Sequence, residues 1–214
     1  FINDLELGIA RKIYKADERP SLLNTPVPDF GLVDMKHYSA MNVQYSRGCP
    51  FNCEFCDIIE IYGRVPRTKS NDQMLAELDA LNQAGWRGLV FIVDDNFIGN
   101  KKNVRLLLPD LIAWSRRNRF PFSFITEASI NLAEDDALLQ MMEDAGFRRV
   151  FLGIETPVEE SLKAAQKGQN TRRDLLESIH KIQSYGMEVM AGFIVGFDSD
   201  PDDIFDRQMN FIRE

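Results

Sequence analysis

A unit repeated along the chain limits the folds open to it. A segment with helical periodicity ends at a glycine, a few residues pass, and a continuous apolar run follows. Gly85 precedes the run 89–93, Gly146 precedes 150–154, and Gly186 precedes 189–195. Residues 122–126 and 41–46 are two further strand candidates. The runs are apolar at nearly every position instead of alternating, which predicts parallel strands buried on both faces by helices. The helices are legible as well. Ser70 and Gln73 have the spacing of a capping box before a stripe of Met74, Leu75, Leu78 and Leu81. Residues 101–118 carry a stripe interrupted by Pro109, which predicts a kink. Residues 134–145 carry Leu138, Leu139 and Met142. Thr171 is expected to cap a helix with Leu175, Leu176, Ile179 and Ile182. Asp200 and Pro201 are expected to open a last helix with Ile204, Phe205 and Met209. Five strands, each followed by helix, define an α/β fold, either an open doubly wound sheet or part of a (β/α) barrel.

The N-terminal stretch is different. Phe1, Ile2, Leu5, Ile9 and Ile13 predict an apolar helical face over residues 1–15, and Pro20, Pro26 and Pro28 mark a linker over 17–36. We therefore expect an arm over 1–40, a connector to an upstream domain, followed by a core over 41–214.

In parallel α/β folds ligands sit at the carboxyl ends of the strands. After the first strand comes a loop holding all three cysteines, Cys49, Cys53 and Cys56. After the later strands come Asp94-Asp95-Asn96, Thr126-Glu127, Glu155-Thr156 and the segment from Gly196 to Asp200. A mouth rich in carboxylates thus faces one soft-metal loop. Thiolates select zinc, copper(I) or iron–sulfur clusters. A structural zinc site closes with four ligands, and the two histidines are remote: His37 is twelve residues upstream of Cys49 and His180 falls on a helix. Three thiolates on a cubane leave one iron open to bind and activate a small molecule. A zinc-stabilised binding domain and a non-catalytic electron-transfer module are the alternatives from other classes.

Composition narrows the partners. The net charge of −8 argues against nucleic acid. No apolar run reaches the ~20 residues of a membrane span, and three cysteines do not make a disulfide framework, which fits a reducing, cytoplasmic setting.

The spacing Cys-x3-Cys-x2-Cys directly after a first strand, with the aromatic Phe55 before the third cysteine, resembles the signature of the radical S-adenosylmethionine superfamily. Tyr45-Ser46-Arg47-Gly48-Cys49-Pro50, the segment Asp94 to Asn100, Thr126-Glu127-Ala128-Ser129, Gly153-Ile154-Glu155-Thr156 and the segment Gly192 to Asp198 resemble the branch in which a cobalamin-binding domain precedes the radical core, a branch that includes hopanoid methylases. The resemblance implies a partial (β/α)6 barrel, truncated here after about five strand–helix units. It implies a [4Fe-4S] cluster on Cys49, Cys53 and Cys56 that cleaves S-adenosylmethionine to a 5′-deoxyadenosyl radical. A reductant such as flavodoxin or ferredoxin, a small-molecule or lipid-like substrate, and cobalamin held by a domain outside this chain follow from it. A cobalamin-independent enzyme acting by hydrogen abstraction or methylthiolation is the second enzyme reading. By the same resemblance Asp94 and Asp95 accept from the methionyl ammonium, Glu155 meets the ribose, and Glu127 shares either task. Phe55 lies by the adenine, Lys167 near the methionine carboxylate, and Gly192 and Ile194 against the adenine. The basic residues Arg64, Arg67 and Lys69 are expected in a solvated loop.

Overall fold

The computed structural model describes residues 1–15 and 18–214; positions 16 and 17 of the expected arm lie outside the described residues. After a short helix α1 (Ile2–Glu6), the chain alternates strands and helices. In order these are β1 (Ala40–Val43), β2 (Ser46–Arg47), α2 (Ile58–Ile61), β3 (Arg67–Thr68), α3 (Asn71–Gln83), β4 (Gly88–Ile92), α4 (Lys101–Arg117), β5 (Phe122–Ala128), α5 (Asp136–Ala145), β6 (Phe147–Glu155), α6 (Glu159–Ala164), α7 (Leu175–Ser184), β7 (Glu188–Phe193) and α8 (Ile204–Arg213).

Five strands form one parallel sheet in the order β1-β4-β5-β6-β7. The order never reverses, so every crossover advances the same way and no switch point of a doubly wound sheet arises. This is the arc of a (β/α) barrel. Its core fills the space between the sheet and the helices: Leu107, Leu111 and Trp114 of α4 and Leu139 and Met142 of α5 pack on Val90, Phe122, Phe124, Phe147 and Val150.

The expectation of strands buried on both faces needs correction. Val90, Ile92, Phe124, Val150, Leu152 and Ile154 face the helices and are buried, whereas Asn42 and Met190 on the other face are exposed and Phe91 is half-buried. The apolar runs mislead because the inner lining of a barrel arc is apolar too, yet an arc leaves it partly open.

Local expectations fare unevenly. The Ser70 capping box is present, with Gln73 Oε1 accepting from the Ser70 N–H at 2.9 Å. Gly146 ends α5 at φ 107°. Helix α4 continues through Pro109 without interruption. Asp174, not Thr171, caps α7 by accepting from Glu177 N. Asp200 does not open α8, which begins at Ile204; its carboxylate binds the turn N–H groups of Gly196 and Phe197 instead. The helix expected over 1–15 shrinks to α1, which ends by Gly8 at φ 69°. Its apolar residues are exposed, and without a surface to bury them a short helix has little to sustain it.

Candidate functional site

The cysteine loop is gripped at its neck. Strands β2 and β3 pair antiparallel, Ser46 with Thr68 and Arg47 with Arg67, and Lys69 N donates to the Tyr45 carbonyl at 2.9 Å. This hairpin was not expected from sequence, because two-residue strands carry no periodicity. Gly48 adopts φ 109° against the Gly63 carbonyl, and a Cβ there would lie 2.7 Å from that oxygen, so the turn into Cys49 requires glycine. Cys49 N donates to Gly63 O at 3.2 Å, and Glu54 N to Ala165 O at 3.0 Å. The loop is thereby fastened both to its own exit and to the end of α6.

The segment after β4 supplies the underside. Asp94, fully buried, accepts from the N–H of Tyr45 at 2.7 Å and from the N–H and hydroxyl of Ser46 at 2.9 and 2.6 Å. Burial pushes its carboxyl up to about 6 despite these donors. The oxygens of Asp94 are committed beneath the loop, and Asp94 is not among the residues lining the cavity beside the thiols. Asp95 accepts from Gly48 N at 2.8 Å and stays half-buried at the cavity wall. Its carboxyl is also raised, chiefly by burial.

A cavity of about 170 Å³ is lined by all three thiols together with Phe55, Asp95, Glu127, Glu155 and Lys167. Residues separated by more than a hundred positions thus meet at the strand ends, as the parallel fold requires. Glu127 projects from β5 with no hydrogen-bond or ion-pair partner among the described residues, and its carboxyl is raised by burial and by the nearby charge of Asp95. Glu155 ends β6 at φ 66°, where the pairing with β7 shifts register. Left-handed backbone in a non-glycine residue at a site edge costs about 1–3 kcal/mol. Its carboxylate forms a buried ion pair with Lys167. Gly153 makes room for that pair, since a Cβ there would collide with Glu155 Oε1 and Lys167 Nζ. The Lys167 ammonium also stands 5.6 Å from the centre of the Phe55 ring.

Gly192 and Ile194 are not among the residues lining this cavity. Gly192 lies behind Phe151, whose ring edge would be 2.7 Å from a Cβ at 192. Ile194 N donates to the Glu155 carbonyl at 2.8 Å. Of the basic trio, only Arg64 remains exposed. Lys69 is buried in an ion pair with Glu77, and Arg67 donates to the carbonyls of Pro20 and Tyr62. A larger cavity, of about 510 Å³, flanks the outer side of β7 between α7 and α8, and no thiol lines it.

Two residues escaped the sequence reading. The buried amides of Asn96 and Gln169 point at thiol sulfurs, Asn96 Nδ2 at 3.8 Å from Cys49 Sγ and Gln169 Nε2 at 3.6 Å from Cys53 Sγ. Asn96 sits beside two aspartates that drew the eye. Gln169 is 116 positions from Cys53, with no motif around it. The donor set fits a cluster. The three cysteines are free thiols, and two of their sulfurs meet amide donors suited to thiolates.

Comparison with known proteins agrees with this geometry. The chain is 51% identical over 214 residues to an uncharacterized methyltransferase of Synechocystis sp., covering all of this chain and 40% of that protein. It is 41% identical over 202 residues to the hopanoid C-2 methylase of Rhodopseudomonas palustris, covering 94% of this chain and 38% of that one. The chain thus spans about two fifths of the length of these relatives. In fold it is similar to the radical S-adenosylmethionine methyltransferase TsrM of Kitasatospora setae, solved with cobalamin and a [4Fe-4S] cluster, with a TM-score of 0.71 at 13% identity, covering 84% of this chain and 36% of that one. The sequence model of the Radical SAM superfamily matches residues 43–212, and with three thiols gathered at the strand ends of a (β/α) arc, the chain belongs to the Radical SAM superfamily.

Proposed function

We propose that the chain is the radical core of a cobalamin-dependent, methyltransferase-like enzyme in which Cys49, Cys53 and Cys56 hold a [4Fe-4S] cluster. The cavity that joins three thiols to three carboxylates and one ammonium carries this reading. When bound, the cluster supplies the electron that splits S-adenosylmethionine into methionine and a 5′-deoxyadenosyl radical.

The residues divide that work by charge. Asp95, half-buried and held by Gly48 N, accepts from the methionyl ammonium. Lys167 offers its ammonium to the methionine carboxylate, and Glu155 its free oxygen to the ribose hydroxyls. Glu127, without a partner among the described residues, sits where either the ammonium or the sulfonium charge can be met. Phe55 covers the adenine from the loop side. Gly192 and Ile194 border the adenine further round, where Gly192 also gives way to Phe151. Water exclusion falls to Phe51, Phe55 and Phe151, which supply much of the apolar wall.

The methyl-transfer part of the reading is supported by the hopanoid C-2 methylase, with cobalamin supported by fold similarity to TsrM. In the same reading residues 1–40 connect to an upstream cobalamin domain, and the exposed Phe1, Ile2, Leu5, Leu7, Ile9 and Ile13 dock against it. The substrate is a small or lipid-like molecule. Among the described residues no helix is long and apolar enough to cross a membrane.

The test is anaerobic reconstitution of the full-length protein with iron and sulfide. We expect a cluster whose EPR signal changes on addition of S-adenosylmethionine, and 5′-deoxyadenosine on addition of dithionite. A cluster indifferent to S-adenosylmethionine would leave an electron carrier, and a Cys53→Ala spectrum identical to wild type would remove the cluster assignment.

A further inference from the structure

Reductive cleavage consumes one electron each time, and it must enter from outside the cavity. The outer side of the cysteine loop has the features of an entry point. A second cavity, of about 280 Å³, lies behind residues 50–52, the stretch between the first two cysteines. Three guanidiniums line it, from Arg64, Arg172 and Arg173, against the single carboxylate of Glu134.

Their partners distinguish them. Arg173 is mostly buried and paired with Glu134, and its Nε donates to the Gln169 carbonyl at 3.3 Å. Arg64 is exposed and rests on the Pro50 carbonyl at 3.3 Å. Arg172 is exposed, and among the described residues neither it nor Arg64 has a carboxylate within ion-pair distance. Lys101, outside the lining, donates to the carbonyl of the lining residue Asn131 at 3.1 Å. Glu54 and Asp57, the acidic residues of the same loop, do not line this side. In a chain of net charge −8 the cysteine loop is thus backed by a cationic face. Gln169 links the two sides: it lines both cavities and points its amide at Cys53.

We propose that Arg64 and Arg172 form the docking face for an acidic one-electron carrier protein, which delivers its electron to the cluster through the 50–53 stretch. This rests on the cluster assignment above. The carrier loses one electron and becomes oxidised, the cluster gains it and becomes reduced, and no proton or bond changes hands. A face of like guanidiniums steers an anionic partner and raises its on-rate, an effect that salt removes.

The experiment follows cluster bleaching by stopped flow in the full-length, reconstituted protein at low ionic strength. The reductants are flavodoxin hydroquinone, as the acidic carrier, and reduced methyl viologen, a small cation. The Arg64→Glu/Arg172→Glu variant should be reduced by flavodoxin at least ~10-fold more slowly than wild type, and its rate should respond weakly to salt. Methyl viologen should reduce both proteins alike, which shows that the variant is folded and loaded. Equal flavodoxin rates in variant and wild type overturn the proposal. So does saturable binding of inorganic phosphate that the substitutions abolish without changing the flavodoxin rate, since the face would then serve a small anion. A protein that takes up no iron or sulfide defeats the cluster assignment itself, and iron content reports that separately.

Discussion

Asp94 and Ser46 are joined twice, the carboxylate accepting from the backbone N–H at 2.9 Å and from the hydroxyl at 2.6 Å, with no exposed surface on Asp94. With the Tyr45 N–H as third donor, this carboxylate fixes the direction in which the chain leaves β1 for Cys49. Asp94→Ala would leave three buried donors without acceptors, at about 1–3 kcal/mol for each group left unsatisfied. We expect loss of most cluster uptake in that variant, with iron content well below wild type. Retention of full iron content would show that the loop does not depend on this anchor.

The same carboxyl gives stability a pH dependence. Its pKa in the fold is about 6, above the usual 3.8, so protonation favours the folded state. This contribution is fully present below about pH 4 and is lost as pH rises through 6, amounting to roughly 3 kcal/mol. Asp94→Asn cannot titrate. Urea unfolding at pH 4.5 and 7.5 should therefore show the stability difference between variant and wild type moving in the variant's favour as pH rises. A difference that is constant across that range would sink this account.

Asn96 and Gln169 point amides at two of the three thiols, so in the proposed cluster they would donate to two of its ligands. Amide donors to sulfur stabilise the more negative, reduced form of a cluster. Replacing Gln169 with Leu, or Asn96 with Leu, should therefore shift the midpoint potential to more negative values. Gln169→Glu should shift it further still, because a carboxylate repels the added electron. Redox titration monitored by EPR measures this directly. A purely structural role would not rank Glu below Leu, and an unmoved potential in both Gln169 variants would end the assignment.

The fold was legible where a residue's role is local or periodic. The parallel strands, the Ser70 box and Gly146 follow from hydrophobic runs and capping chemistry; the sequential order of the strands does not, since the same runs suit a doubly wound sheet. The meeting of cysteines and carboxylates at one rim was legible because the carboxyl ends of parallel strands gather whatever follows them. What stayed hidden depends on contacts between distant segments. Asp94 reads in sequence like Asp95, and only the position of the Tyr45 and Ser46 N–H groups turns one beneath the loop and leaves the other at the wall. Gln169 reaches Cys53 because Glu54 N is tied to Ala165, a link across more than a hundred residues. Arg64, Arg67 and Lys69 look alike in sequence, yet Glu77 takes Lys69 into the core while Arg64 stays outside.

The Glu155–Lys167 pair stands over Gly153 with about a tenth of each side chain exposed. Removing one partner of such a pair strands the other charge at about 3–5 kcal/mol, whereas replacing both costs much less. Lys167→Met should therefore destabilise the protein by that order and weaken S-adenosylmethionine binding. Glu155→Gln with Lys167→Met should recover most of the stability but not the binding, because the ammonium for the methionine carboxylate is still missing. Gly153→Ala should act similarly on binding, since its methyl group would push the pair aside. Thermal unfolding and equilibrium binding of S-adenosylmethionine to the reconstituted protein separate the two effects. If the double variant binds S-adenosylmethionine as tightly as wild type, Lys167 holds Glu155 in place and does not contact the ligand.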